Sequence, residues 1–227
     1  MSILTVRNIS KSFLDQNNVI KAVNDVTFEI EEGEVIAVIG PSGSGKTTLL
    51  NLIGILMSPD SGEIIVDGIS TKGISDLTRC NIRNKYFGYV VQDFALIEDE
   101  TAAQNILIPS LYSKNKTSKA QYRKKMTDIA DRFLIKDRLH TKVKKLSGGE
   151  RQRVAIIRAL ICDQKIILAD EPTGSLDNKN SEMIINFLKD LAITEKKSII
   201  IATHNLSLAE RCDRIFEFTQ GSFSICK

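Results

Sequence analysis

The chain has 227 residues, 42% of them hydrophobic and 26% charged, which is enough apolar material for one sizeable core with room for a subdomain. Its net charge of +3 is a mild basic balance without the basic stripe of a nucleic-acid binder, so no nucleic acid is expected as a partner. Two histidines and four scattered cysteines (Cys80, Cys162, Cys212 and Cys226), none in a C-x-x-C pair, argue against a zinc site and against a disulfide framework. No apolar run approaches the roughly 18–20 residues that span a bilayer. The start, Met1-Ser2-Ile3-Leu4-Thr5, lacks the basic and long apolar stretches of a secretory signal. The protein is therefore expected in the cytosol, with any membrane role coming through a partner.

Short β-type runs alternate with helical ones, which predicts an α/β fold. Residues 3–9 read as a strand. Val26, Phe28 and Ile30 alternate with polar residues and read as a strand with one buried face. Glu32-Gly33 turns the chain into the unbroken apolar run 35–39, suited to a sheet centre. A helix is expected from about Lys46 to Leu56. Ser61-Gly62 and Asp67-Gly68 bracket a strand at 63–66, and another covers 87–91. Residues 93–149 read as a helical subdomain inserted between core segments 1–92 and 150–227. Its lysines, Lys114, Lys116, Lys119, Lys124 and Lys125, read as a solvated face. Val154, Ile157 and Ile161 share a helical stripe. A buried strand at 166–170, a helix marked by Ile184, Phe187, Leu188 and Leu191, and a strand at 198–202 follow, and Gly221 turns between two short strands of the tail.

Gly40-Pro41-Ser42-Gly43-Ser44-Gly45-Lys46-Thr47 matches the phosphate-loop pattern G-x-x-x-x-G-K-[ST], after a predicted strand and opening a predicted helix. The glycines let successive N–H groups turn inward, and the helix N-terminus adds partial positive charge. Lys46 can reach the β- and γ-phosphates, the Thr47 hydroxyl can bind Mg²⁺, and Thr48 extends the donors toward the α-phosphate. Alone, this loop says only nucleotide: a kinase, GTPase, helicase or transporter motor would all use it.

Ile166-Ile167-Leu168-Ala169-Asp170-Glu171 has the form of a Walker B strand, which places carboxylates at the ligand-binding edge of an open α/β sheet. Asp170 can hold Mg²⁺. Glu171 is placed to accept a proton from, or to orient, an attacking water. An exposed acidic turn before Pro172 would not need four apolar residues feeding it.

The string Leu146-Ser147-Gly148-Gly149-Glu150-Arg151-Gln152 resembles the signature of ATP-binding subunits of ABC transporters, with Glu150 where Gln is common. It lies about a hundred residues after the phosphate loop and shortly before the acid pair, as in that family. The resemblance covers essentially the whole chain in motif order. It implies a P-loop ABC-ATPase fold: a mostly parallel core sheet, an N-terminal antiparallel β subdomain and an inserted helical subdomain. It also implies ATP and Mg²⁺. By the same resemblance, Gln92 is the Q-loop glutamine at Mg²⁺ or the lytic water, Ser175-Leu176-Asp177 is the D-loop, His204 contacts the γ-phosphate, and Phe13 stacks on adenine where many relatives carry Tyr. The runs 40–54 and 168–177 look like the branch serving macrolide export, lipoprotein release and antimicrobial-peptide export or immunity, although Asp99-Glu100 and Ala103-Gln104 depart from its usual wording.

One chain holds one phosphate loop and one signature. The resemblance therefore implies a head-to-tail dimer, with each nucleotide between Lys46 of one copy and Ser147, Gly148 and Gly149 of the other. It further implies a separate integral membrane permease, which would hold the chain peripherally on the inner face of the cell membrane. A motor for export of a peptide, antibiotic or lipoprotein-type substrate is the expected function. Three alternatives stay open: a regulator of a membrane partner such as a cell-wall hydrolase activator at division, a DNA-repair or translation ATPase, and an unrelated P-loop kinase. The second lacks support, because no long heptad coiled coil separates the motifs and only one cassette is present.

Overall fold

The computed structural model describes residues 2–15, 18–113, 117–174 and 178–226. Two sheets organise it. Strands β1 (Ser2–Asp15) and β2 (Asn18–Glu31) pair antiparallel, with β3 (Val35–Ile39) following in the chain. Strands β4 (Ser61–Val66) and β5 (Ile69–Ser70) complete an antiparallel sheet ordered β2-β1-β4-β5. The second sheet takes in β3, β6 (Phe87–Val90), β7 (Ile166–Asp170), β8 (Ser198–Thr203), β9 (Arg214–Thr219) and β10 (Ser222–Ile225), ordered β10-β9-β3-β8-β7-β6. Its pairings are parallel except at the β10 edge.

The inner strands are apolar throughout because both faces are covered. Alternate residues sort into two clusters. Val35, Ala37, Ile167, Ala169, Ile199 and Ile201 face the helices α4 (Lys119–Arg132), α5 (Gly148–Leu160) and α6 (Asn178–Glu195). Ile36, Val38, Ile166, Leu168, Ile200 and Ala202 face α1 (Lys46–Ile53) and the antiparallel sheet. Phe216 stacks on Phe223 at 4.1 Å, and both meet Phe28, joining β2 to the edge of the core sheet.

The expected strands are present, but β1 and β2 run well beyond the residues that alternate. Helix α1 stops at Ile53 rather than near Leu56, because Gly54 caps it and Ile55 takes a left-handed φ of 51°. Helix α2 (Asp76–Tyr86), capped by Ser75, was not expected; its solvent-facing positions dilute the apolar period. In the inserted segment, α3 (Ala102–Leu107) opens with a capping box between Thr101 and Gln104, and α4 with one between Ser118 and Gln121. Buried Tyr122, Met126, Ile129 and Ala130 fasten α4 to the cluster shared with the core sheet. Lys119 and Lys124 are exposed, while Lys125 pairs with Asp163. Lys114 and Lys116 lie outside the described residues.

Gly88 on β6 marks where α5 comes closest to the sheet: a Cβ there would fall inside the Ala159 carbonyl oxygen. Gly88→Ala is expected to lower unfolding stability by about 1–3 kcal/mol through overpacking, read as a lower urea midpoint at unchanged m-value.

Candidate nucleotide site

Four parallel strands of the core sheet, β3, β6, β7 and β8, end at one edge and deliver most of the candidate residues to a single cleft. After β3 the chain enters the glycine loop. Gly45 has a φ of 103°, and a Cβ on it would strike the Ala22 carbonyl oxygen; one on Gly40 would strike that of Phe218. Only glycine lets the loop lie this close to its neighbours. Gly45 is also the N-cap of α1 and offers no side chain to its first turn, so the first N–H groups stay free for a ligand. Ser44 Oγ is buried without a hydrogen-bond partner. Buried Lys46 turns its ammonium onto the loop, donating to the Gly40 and Pro41 carbonyls at 2.8 and 2.9 Å. A positive side chain, unused N–H groups and an orphaned hydroxyl form a donor-rich pocket suited to a polyphosphate.

From α1, the Thr47 hydroxyl donates to Asp170 Oδ2 at 2.7 Å. Asp170 ends β7 and is buried. Burial pushes its carboxyl above the ordinary range, the Thr47 hydrogen bond pulls the other way, and the Glu171 charge adds to the rise. An acid held this way gains from a cation, and the Thr47 and Asp170 oxygens are the hard donors that Mg²⁺ takes. Gln92, just past β6, lines the same cleft and carries an amide oxygen of the same hard kind.

Glu171 departs from the strand with a φ of 48°, unusual for a side-chain-bearing residue before proline. Its N–H donates to the Ala202 carbonyl at 2.9 Å. The Thr203 hydroxyl donates to Oε2 at 3.0 Å, the His204 N–H donates to Oε1 at 3.0 Å, and His204 Nδ1 meets the same oxygen at 2.7 Å. The His204 side chain is otherwise 72% exposed. Opposite, Phe13 on β1 pairs with Ile20 on β2 and presents its ring to the cleft.

The cleft measures about 890 Å³ and takes in Phe13, Ser42, Gly43, Ser44, Gly45, Lys46, Thr47, Thr48, Gln92, Asp170, Glu171 and His204. That is ample for a nucleoside triphosphate, since ligand sites run about 300–1,000 Å³. Gly40 and Pro41 contribute through the carbonyls that hold Lys46. Ser147, Gly148 and Gly149 are not part of its wall. Ser147 and Gly148 are exposed at the tip of α5, where Ser147 caps the helix and Glu150 closes the box by accepting from the Ser147 N–H at 2.8 Å. Burial works against the Glu150 charge, but the Ser147 groups and the Arg138 guanidinium outweigh it and hold the carboxyl below its ordinary range. Asp177 lies outside the described residues. Sequence reasoning missed Thr203, the β2 residues 19–22 and the Gln220-Gly221 turn, all of which border the site; a threonine directly before His204 was the only available signal.

A family model described as "ABC transporter" matches residues 23–174. The lipoprotein-releasing system ATP-binding protein LolD of Rickettsia bellii is 40% identical, covering 98% of both chains. The macrolide export ATP-binding/permease protein MacB of Bartonella henselae is 36% identical over 97% of this chain, which spans only 33% of that longer protein. Among solved structures, the dimeric post-hydrolysis state of the ATP-binding cassette MJ0796 bound to ADP and Pi superposes with a TM-score of 0.92 at 34% identity, covering 99% of each chain.

Lys46→Ala is expected to weaken nucleotide binding at least 100-fold, measured by calorimetric titration; affinity within a few-fold of wild type would contradict the cradle. Asp170→Asn should act in opposite directions on stability and on function. The Asp170 carboxyl titrates higher in the folded state, so its contribution to stability falls as pH rises through that range and is unfavourable at neutral pH. The amide should therefore raise Tm at pH 7 without nucleotide while weakening Mg²⁺-dependent binding. The Tm gain should vanish near pH 3, and a lower Tm at pH 7 would contradict it.

Proposed function

The chain belongs to the ABC transporter family as an ATP-binding, ATP-hydrolysing subunit, and on that premise we propose how its cleft works and what it drives. The observation that carries the reading is the convergence of Lys46, Thr47, Gln92, Asp170, Glu171 and His204 on one cleft. In this reading Phe13 stacks on adenine, the Gly43 and Gly45 N–H groups and the first turn of α1 through Thr48 wrap the phosphates, and Lys46 leaves the Gly40 and Pro41 carbonyls for the β- and γ-phosphates. Thr47, Asp170 and Gln92 are the residues that would hold Mg²⁺, which when bound neutralises charge on the phosphate oxygens.

Glu171 is the group that takes the proton of the attacking water. The water oxygen bonds to the γ-phosphorus, the bond to the bridging oxygen breaks, and ADP departs with that oxygen. His204, with its exposed ring, turns from Glu171 to the γ-phosphate when nucleotide is present. The protein's contribution is chiefly position and preformed charge, because phosphoryl transfer asks little covalent chemistry of its catalyst.

The site is completed by a second copy. The α5 tip of Ser147, Gly148 and Gly149 faces solvent, away from its own cleft, and the related MJ0796 cassette is dimeric with ADP and Pi. Two copies packed head to tail bring each tip to the other's γ-phosphate; nucleotide closes the pair and hydrolysis opens it. Segment 93–149 is the unit that passes this stroke to an integral membrane permease. No helix among the described residues is long and apolar enough to cross a membrane, so the chain rests on the inner membrane face through that permease. Likeness to LolD and MacB points to export of a lipoprotein, antibiotic or peptide-type substrate.

Glu171→Gln is expected to bind ATP with near-wild-type affinity, lose at least 100-fold in turnover, and elute as a dimer with ATP in size-exclusion chromatography. Undiminished phosphate release would remove Glu171 from this role, and a strictly monomeric ATP-bound form would remove the second copy.

A further inference from the structure

We propose that Thr203 is a positioning residue for the hydrolytic step, fixing the carboxylate of Glu171 through a one-way chain of hydrogen bonds. The proposal rests on the reading of Glu171 given above and adds a residue to it.

A threonine oxygen can donate one proton and can accept. Here the Asn205 N–H donates to Thr203 Oγ1 at 3.1 Å, so the oxygen is already serving as acceptor. The hydroxyl proton is left for Glu171 Oε2, 3.0 Å away. A carboxylate oxygen only accepts, so the chain runs from the Asn205 N–H through Thr203 to Glu171 and cannot reverse. Hydrogen bonds in series of this kind polarise one another. Thr203 is fully buried at the end of β8, and β-branching holds its rotamer, so the donor does not wander.

The other partners of Glu171 are less constant. Of the two bonds to Oε1, one comes from the His204 backbone N–H and the other from the His204 ring, which is exposed and in the proposed reading turns to the phosphate. Glu171 itself sits at a φ of 48°, a conformation that its surroundings have to impose. With the ring of His204 gone, Thr203 is the side chain that keeps Oε2 fixed, while Oε1 retains the His204 backbone N–H and turns the face vacated by the ring toward water. The hydroxyl thus sets which carboxylate oxygen works as the base.

The test is ATPase kinetics on the full chain with Thr203→Val, Thr203→Ser, Glu171→Gln and the double variant Thr203→Val/Glu171→Gln. Valine keeps the shape and β-branching of threonine and removes only the hydroxyl. Thr203→Val should lower kcat about 10–100-fold, the range for losing a hydrogen bond to a charged group, with KM for ATP changed less than twofold. Thr203→Ser, which keeps the hydroxyl but loses the methyl, should recover kcat to within about threefold, whereas a packing role would not be rescued this way. Adding Thr203→Val to Glu171→Gln should change the residual single-turnover rate less than twofold. If valine abolishes the native thermal transition, Thr203→Ala is read in the same comparison. Full turnover in Glu171→Gln would overturn the base assignment and this proposal with it. An inactive Glu171→Gln beside an undiminished Thr203→Val, a loss that serine does not rescue, or multiplicative losses in the double variant would overturn the Thr203 role alone.

Discussion

A hydroxyl at the start of α1 and a buried carboxylate at the end of β7 meet across 2.7 Å, and the rest of the site is arranged about that contact. The two strands involved are not neighbours. Strand β8 lies between β3, which feeds the glycine loop, and β7, which carries Asp170. The Thr47–Asp170 bond therefore spans the top of β8, and the residues that continue β8, Thr203 and His204, come up beside Glu171. Burial makes the Asp170 charge unfavourable, and the single hydroxyl only partly relieves it. The cleft thus pairs a buried acid suited to a cation with a lysine that borrows backbone carbonyls and is suited to an anion. Each is met by one half of a metal–nucleotide pair.

The parts of this machine that were legible in the sequence are those written in contiguous strings. The loop from Gly40 to Thr47 and the run from Ile166 to Glu171 carry strand, turn and chemistry within a few residues, so local rules suffice. The two-faced burial of β3, β7 and β8 followed from unbroken apolar runs, and the inserted helices from their periodicity. What stayed hidden depends on distant pairing. The role of Thr203 rests on facing Glu171, and the border formed by β2 and the Gln220-Gly221 turn arises only because the hairpin folds back over the loop. Helix α2 is mostly exposed and lacks a strong apolar period, and the end of α1 was set by a left-handed Ile55 that composition does not announce.

The departures from family wording have local explanations. Glu150 works as the closing member of a capping box, a position that either a carboxylate or an amide can fill, and its charge is further held by Arg138 at 2.9 Å. Gln104 does the same for Thr101 at the head of α3. Both substitutions therefore preserve helix geometry. At the α5 tip the Ser147 hydroxyl accepts from the Glu150 N–H and remains exposed, so the helix is capped without being covered. The proposed second copy would find the tip already ordered, with little rearrangement needed on docking.

The close approaches of Gly40 to the Phe218 carbonyl, of Gly45 to that of Ala22, and of Gly221 to Lys21 fasten the hairpin, the glycine loop and the end of β9 into one piece. The bond from the Asn24 N–H to the Gly221 carbonyl at 2.8 Å adds a fourth fastening. In the proposed reading, the hairpin that carries Phe13 and the loop that carries Lys46 are therefore joined supports rather than separate ones. On that reading a nucleotide spans both supports, and one lacking its terminal phosphate meets the aromatic end while leaving the Lys46 end short.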